Sequence, residues 1–248
     1  LSGLDFGLVA WAALSLFAGG AVKGVVGLGL PLVAMPLLTL SFSLKESVGL
    51  LVLPMVASNL VQAFQGGLFK ATLRRFWPML LVLVVTVAGA TKLLVVVRQE
   101  ILFIVIGTSV IVFPLIAHFR PHLRVSEATE RWLGPLVGLV AGLIGGISTF
   151  YGAPLMLYLV WLRPPKDLFV AAISLMYFVG ATGLLTGLLL FGVAQFQGLG
   201  MSAAGCIPVF AGLWLGQRLR VRLDERRFAR LLLAVYLATG ISFLAKAF

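Results

Sequence analysis

The chain has 248 residues, of which 61% are hydrophobic and only 11% charged, where a soluble domain carries about 25% charged residues. This excludes a soluble globular protein and predicts an all-α polytopic membrane protein, whose apolar runs exceed the roughly 20 residues that cross a bilayer as helix. The net charge of +11 does not point to nucleic acid, because the basic residues lie in short loops between apolar runs, where positive-inside topology accounts for them.

In chain order the apolar segments run from Phe6 to Leu44, Val48 to Phe69, Phe76 to Val97, Ile101 to Phe119, Trp132 to Leu162, Leu168 to Phe196, Gly198 to Gly216 and Phe228 to Phe248. Lys23 and Lys92 interrupt them with charge, and Arg230 and Lys246 lie near the two ends of the last. Leu1 to Phe6 lacks the basic n-region of a cleavable signal. One cysteine, Cys206, excludes an intrachain disulfide and a multi-cysteine metal site and reads as a small packing residue. No metal or other cofactor is expected.

The first and fifth segments share a pattern. Residues 18–32 read A-G-G-A-V-K-G-V-V-G-L-G-L-P-L and residues 141–155 read A-G-L-I-G-G-I-S-T-F-Y-G-A-P-L. Ala18, Gly19, Gly29, Pro31 and Leu32 match Ala141, Gly142, Gly152, Pro154 and Leu155 at one constant spacing. Lys45-Glu46 and Lys166-Asp167 open the segments that follow. A glycine-broken, proline-restarted apolar segment that occurs twice marks a secondary transporter with internal repeats. The polar loop from Arg120 to Arg131 divides the chain into a first repeat, 1–119, and a second, 120–248.

Arginine and lysine placement predicts the topology. If every segment crosses once, the loops around Arg75 and Arg222 fall on opposite sides, against the positive-inside rule. If the first and fifth segments instead go in and come back, loops 66–75, 120–131, 163–166 and 217–230 lie together in the cytoplasm with most of the 19 basic residues. Each half then has about five helical elements, an odd number, so the repeats are inverted. The basic loop 66–75 corresponds to the uncharged loop 192–198, as inversion requires.

The fifth segment is about 30 residues long, giving two arms of about 15 residues and about 22 Å each, short of a core about 30 Å thick. Broken or re-entrant tips are therefore expected to meet near the midplane. Glycine permits the turn and proline favours a helix start, so Pro31 and Pro154 mark helix N-termini. Such termini carry partial positive charge and free N–H donors. The alternative is that the glycines only allow close helix packing.

The expected binding set combines backbone donors at Gly27, Leu28, Gly29, Tyr151 and Gly152 with side chains of Ser148, Thr149, Ser58, Asn59, Gln62 and Tyr177. Thr182 is a weaker member. Asn59 and Gln62 are three apart and share a helix face. Lys23 has two readings: a pocket cation, the default for an intramembrane lysine, or a side chain snorkelling to the interface. Lys92 reads as an anchor at the outer end. All eight acids fall in loops or at span ends, and His118 and His122 at a span edge and its loop. No carboxylate is placed to meet a cation, so the substrate is expected to be a small anion.

The paired glycine–proline motifs, with the Lys-Glu and Lys-Asp span starts, resemble the sulfite exporter TauE/SafE family over nearly the whole chain. The second copy departs from the first, with Phe150 where Gly27 stands. The resemblance implies export of sulfite or a short organosulfonate across the bacterial inner membrane. The alternatives are an importer or channel for another small anion, or a membrane scaffold that transports nothing. A Ser148-based intramembrane protease lacks a histidine base in any span core, so no enzyme is expected. The expected partners are the anion and the lipid bilayer, with a homodimer left open.

Overall fold

A computed structural model describes residues 5–64, 67–119, 124–192, 196–220 and 225–247. Arg120, His122, Arg222 and Asp224, which enter the topology and acid arguments, lie outside the described residues, as do the middle of the 192–198 loop and the His118 side chain. The first half forms α1 (Phe6–Val26), α2 (Leu30–Leu38), α3 (Leu44–Phe64), α4 (Phe69–Ala90), α5 (Leu93–Val96) and α6 (Gln99–Phe119). The second half forms α7 (Glu127–Ser148), α8 (Gly152–Leu162), α9 (Lys166–Leu190), α10 (Phe196–Ala204), α11 (Cys206–Arg220) and α12 (Glu225–Ala245). Among the described residues, 7 helices are long and apolar enough to cross a membrane. The protein is an all-α polytopic membrane protein. Its outward residues, such as Trp77, Val85, Trp132, Leu190 and Ile207, are apolar and exposed, as a surface facing lipid requires.

Both glycine–proline segments fold as helical hairpins. Trp11 Nε1 donates to the Leu37 carbonyl at 3.0 Å, so α2 runs back along α1. The Val125 N–H donates to the Trp161 carbonyl at 3.2 Å, so α8 runs back along α7. The arms differ from the equal halves expected. α1 has 21 residues and α2 only 9; α7 has 22 and α8 only 11. The position of the left-handed caps, not the midpoint of the apolar run, sets where each chain turns.

Close packing holds the hairpins to the rest of the bundle. α1 packs on α11, and α7 on α4. Gly20 and Gly24 lie against the backbone of Val209 and Leu213, while Gly212 and Gly216 lie against Phe17 and Ala21. Gly138 and Gly146 likewise face the carbonyls of Met79 and Val87. Small residues spaced by four let helix backbones approach where lipid offers no hydrophobic drive. The other pairings also fall into matched sets: α3 with α10 and α9 with α4, α2 with α12 and α8 with α6, while α3 pairs with its own counterpart α9 and α6 with α12.

Two helix-interior prolines are stitched across the halves. Pro54 supplies no N–H to the Leu50 carbonyl, and Ser202 Oγ donates to it instead at 3.0 Å while accepting from Leu53 N–H. Pro36 similarly leaves the Leu32 carbonyl, which takes the Thr239 hydroxyl. Lys246 Nζ closes the far end of α2 on Pro36 O and Thr39 Oγ1 at 3.0 and 2.6 Å, a cation at a helix C-terminus. At the base of the other hairpin Arg75 and Glu130 form a two-point ion pair, each N–O distance 2.8 Å, joining α4 to α7.

Candidate functional site

Each hairpin turns through three non-helical residues. Gly27 caps α1 at φ +82° and donates to Lys23 O at 2.7 Å, and Gly29 starts α2 at φ +98°. Both values lie in the left-handed region that glycine enters without a Cβ clash. Thr149 caps α7 at φ +70° and donates to Gly145 O at 2.8 Å. Pro31 is the second residue of α2 and Pro154 the third of α8, positions where a helix has no internal acceptor for an N–H. The two restarts expected at the prolines are therefore present as helix N-termini.

The turns meet at one buried cavity, lined by Lys23, Gly29, Leu30, Pro31, Leu32, Met55 and Asn59 from the first half and by Thr149, Phe150, Tyr151, Gly152, Ala153, Tyr177 and Tyr236 from the second. Its free volume is about 20 Å³, room for about one water molecule. Lys23 is 2% exposed and its ammonium donates to Asn59 Oδ1, its one partner among the described residues. Among the described residues no acid lines the cavity. The snorkelling reading of Lys23 is thereby set aside: the side chain is enclosed. The Tyr151 hydroxyl donates to Tyr177 O at 3.2 Å, and the Tyr177 and Tyr236 hydroxyls are paired with each other.

Of the residues expected at the site, Lys23, Gly29, Asn59, Thr149, Tyr151, Gly152 and Tyr177 come together at this cavity, while Gly27, Leu28, Ser58, Gln62 and Ser148 do not line it. The Gly27 N–H is committed to its cap. Ser148 Oγ donates to Ile144 O and accepts from Phe150 N–H at 3.1 Å, so it braces the turn. Ser58 Oγ turns back to Met55 O at 3.5 Å, and Thr182 Oγ1 to Phe178 O at 2.9 Å. Gln62 is half-buried, one turn beyond Asn59, with a buried Oε1 that has no partner among the described residues. Lys92 is exposed between α4 and α5. Tyr236 was not anticipated; the signal available was a rare polar side chain inside the last apolar segment, beside Thr239.

A buried lysine between two helical hairpins, inside a bundle of membrane-spanning length, fits a membrane transporter. Comparison with known families agrees. The chain belongs to the sulfite exporter TauE/SafE family, whose family model matches residues 11–243. Searches of curated proteins and of solved structures found no match.

Proposed function

We propose that the protein exports a small sulfur-containing oxyanion, sulfite or a short organosulfonate, across the bacterial inner membrane. The observation that carries this reading is Lys23. A buried lysine with one neutral partner and no carboxylate among the lining residues is costly to charge, and a bound anion supplies the missing counter-charge. In the first turn of α2 Pro31 has no N–H and Leu32 donates to Gly29 O at 3.0 Å, which leaves Leu30; with Gly152 and Ala153 at the start of α8 it adds donors and positive potential at the same cavity. Asn59 holds the ammonium through Oδ1.

In this reading the chain consists of two inverted repeats, 1–119 and 120–248, with the site between them near the membrane midplane. The exchange of helix pairings between the halves and the two antiparallel hairpins support it. The cavity's volume means that it must widen to admit the anion. An inside-negative potential favours anion export by about 2.3 kcal/mol per charge per 100 mV, so no intramembrane carboxylate is needed to drive it.

The test is flux in proteoliposomes loaded with sulfite, a short organosulfonate, sulfate or chloride. Sulfite or sulfonate efflux above protein-free vesicles, rising with an inside-negative potential and lost in Lys23→Met, is the expected result. Efflux no faster than from empty vesicles for every sulfur anion overturns the proposal.

A further inference from the structure

We propose that Thr149 is a direct ligand of the transported anion, and that its backbone is held in a left-handed conformation for the sake of its hydroxyl. The inference rests on the anion-transport reading above and gives one of the expected site residues a specific role in it.

The two hairpin turns open with the same device. Gly27 and Thr149 each cap a long helix at positive φ, +82° and +70°, and each donates its N–H to the carbonyl four residues back. At Gly27 the conformation costs little. At Thr149 it is strained, because a Cβ crowds the following carbonyl and a β-branched side chain is the least tolerant of this region. Among the described residues only one other non-glycine, Arg163, has positive φ, and it sits exposed at a helix end.

Glycine would serve the cap better, so what threonine adds is its side chain. That side chain is 1% exposed and lines the cavity. Its Oγ1 is buried and has no hydrogen-bond partner among the described residues. An orphaned buried hydroxyl is itself destabilising. Thr149 thus combines backbone strain with an unmet polar group, and neither benefits the empty protein. Both are accounted for if the hydroxyl donates to an anion oxygen in the loaded state; strain of this kind collects at ligand-binding sites. Gly27 does not line the cavity, and there the unstrained residue is present. The anion then receives Lys23 from the first half of the chain and Thr149 from the second.

The test uses the purified full chain in detergent, with thermal unfolding followed during titration with sodium sulfite, for wild type, Thr149→Gly and Thr149→Ser. Without sulfite, Thr149→Gly is expected to melt about 2–4 °C above wild type. Its sulfite affinity is expected to fall about tenfold or more, the loss of a hydrogen bond to a charged group. Thr149→Ser, which keeps the hydroxyl, is expected to bind within about threefold of wild type. A Thr149→Gly protein that binds sulfite as wild type does, that melts lower or does not fold, or that matches Thr149→Ser in its affinity loss overturns the assignment. A wild-type protein that does not respond to sulfite overturns the transport reading, and this assignment with it; a responsive wild type with an unaffected Thr149→Gly overturns this assignment alone.

Discussion

The Tyr177 hydroxyl occupies the space that a β-carbon on Gly152 would need. Tyr177 is in turn paired with Tyr236 through its hydroxyl and accepts the Tyr151 hydroxyl on its carbonyl. The first residue of α8 therefore lies directly against the Tyr177 ring of α9, and the N-terminus of α8 reaches the cavity because Gly152 has no side chain.

Gly152→Ala is expected to reduce anion flux at least about tenfold, since a methyl group must displace a packed aromatic ring. Gly89→Ala is the control: that glycine lies in α4 with nothing within 4 Å of an added Cβ and should transport normally. Tyr177→Ala introduced alongside Gly152→Ala should recover folded yield by size-exclusion fluorescence while flux stays low. Normal flux in Gly152→Ala alone would remove this contact from the mechanism.

Lys23→Met tests the buried, poorly paired amine. Replacing a buried, poorly paired ion by an apolar group of similar length is commonly neutral or stabilising. The empty variant is expected to melt about 2–4 °C higher than wild type, with flux at the protein-free level. Lys23→Arg should restore flux only in part, because the planar guanidinium is larger than the ammonium. A Lys23→Met protein that both melts lower and transports would contradict the role given to this residue.

The helical bundle was legible because apolar runs of spanning length have few alternatives, and the two breaks because glycine followed by proline is unfavourable in a continuous helix. Lys23 and Asn59 stood out as polar groups within apolar runs. The unequal arms were not legible: apart from Lys23 the run Phe6–Leu44 is apolar throughout, and nothing in its hydropathy marks the left-handed cap at Gly27. Nor was the distinction between glycines that turn the chain, Gly27 and Gly29, and those that pack it, Gly20 and Gly24, because the latter depend on Val209 and Leu213 far along the chain. Ser148 and Thr149 are adjacent and similar in sequence. Only the backbone separates them, sending one hydroxyl to Ile144 O and leaving the other in the cavity.

Ser202→Ala is expected to destabilise the protein by about 1–3 kcal/mol, the cost of leaving a buried carbonyl unsatisfied. The orphan exists because of Pro54, so the effect should depend on that residue. With Pro54→Ala the helix N–H returns to Leu50 O, and Ser202→Ala should then cost distinctly less. Melting temperatures of the four proteins in this cycle measure the coupling. Equal costs in both backgrounds would mean that Ser202 is not acting through the proline gap.

The last prediction concerns which ends of the bundle share a compartment. Arg75 and Glu130 are joined at the base of the α7–α8 hairpin, and Lys246 joins Thr39 at the base of the α1–α2 hairpin. With inverted repeats these bases lie on opposite faces, the first cytoplasmic and the second outer. The exposed Arg218 near the end of α11 belongs with the first face, by the clustering of basic residues inside. Single cysteines are introduced on a Cys206→Ala background in intact cells and exposed to a membrane-impermeant maleimide. Lys45→Cys and Lys92→Cys should react from outside, whereas Lys70→Cys and Arg218→Cys should react only after the membrane is permeabilised. Labelling of Lys70→Cys and Arg218→Cys from opposite sides would break the inverted arrangement, because α3, α4 and the α10–α11 pair could not then traverse the bilayer in the order the hairpins require.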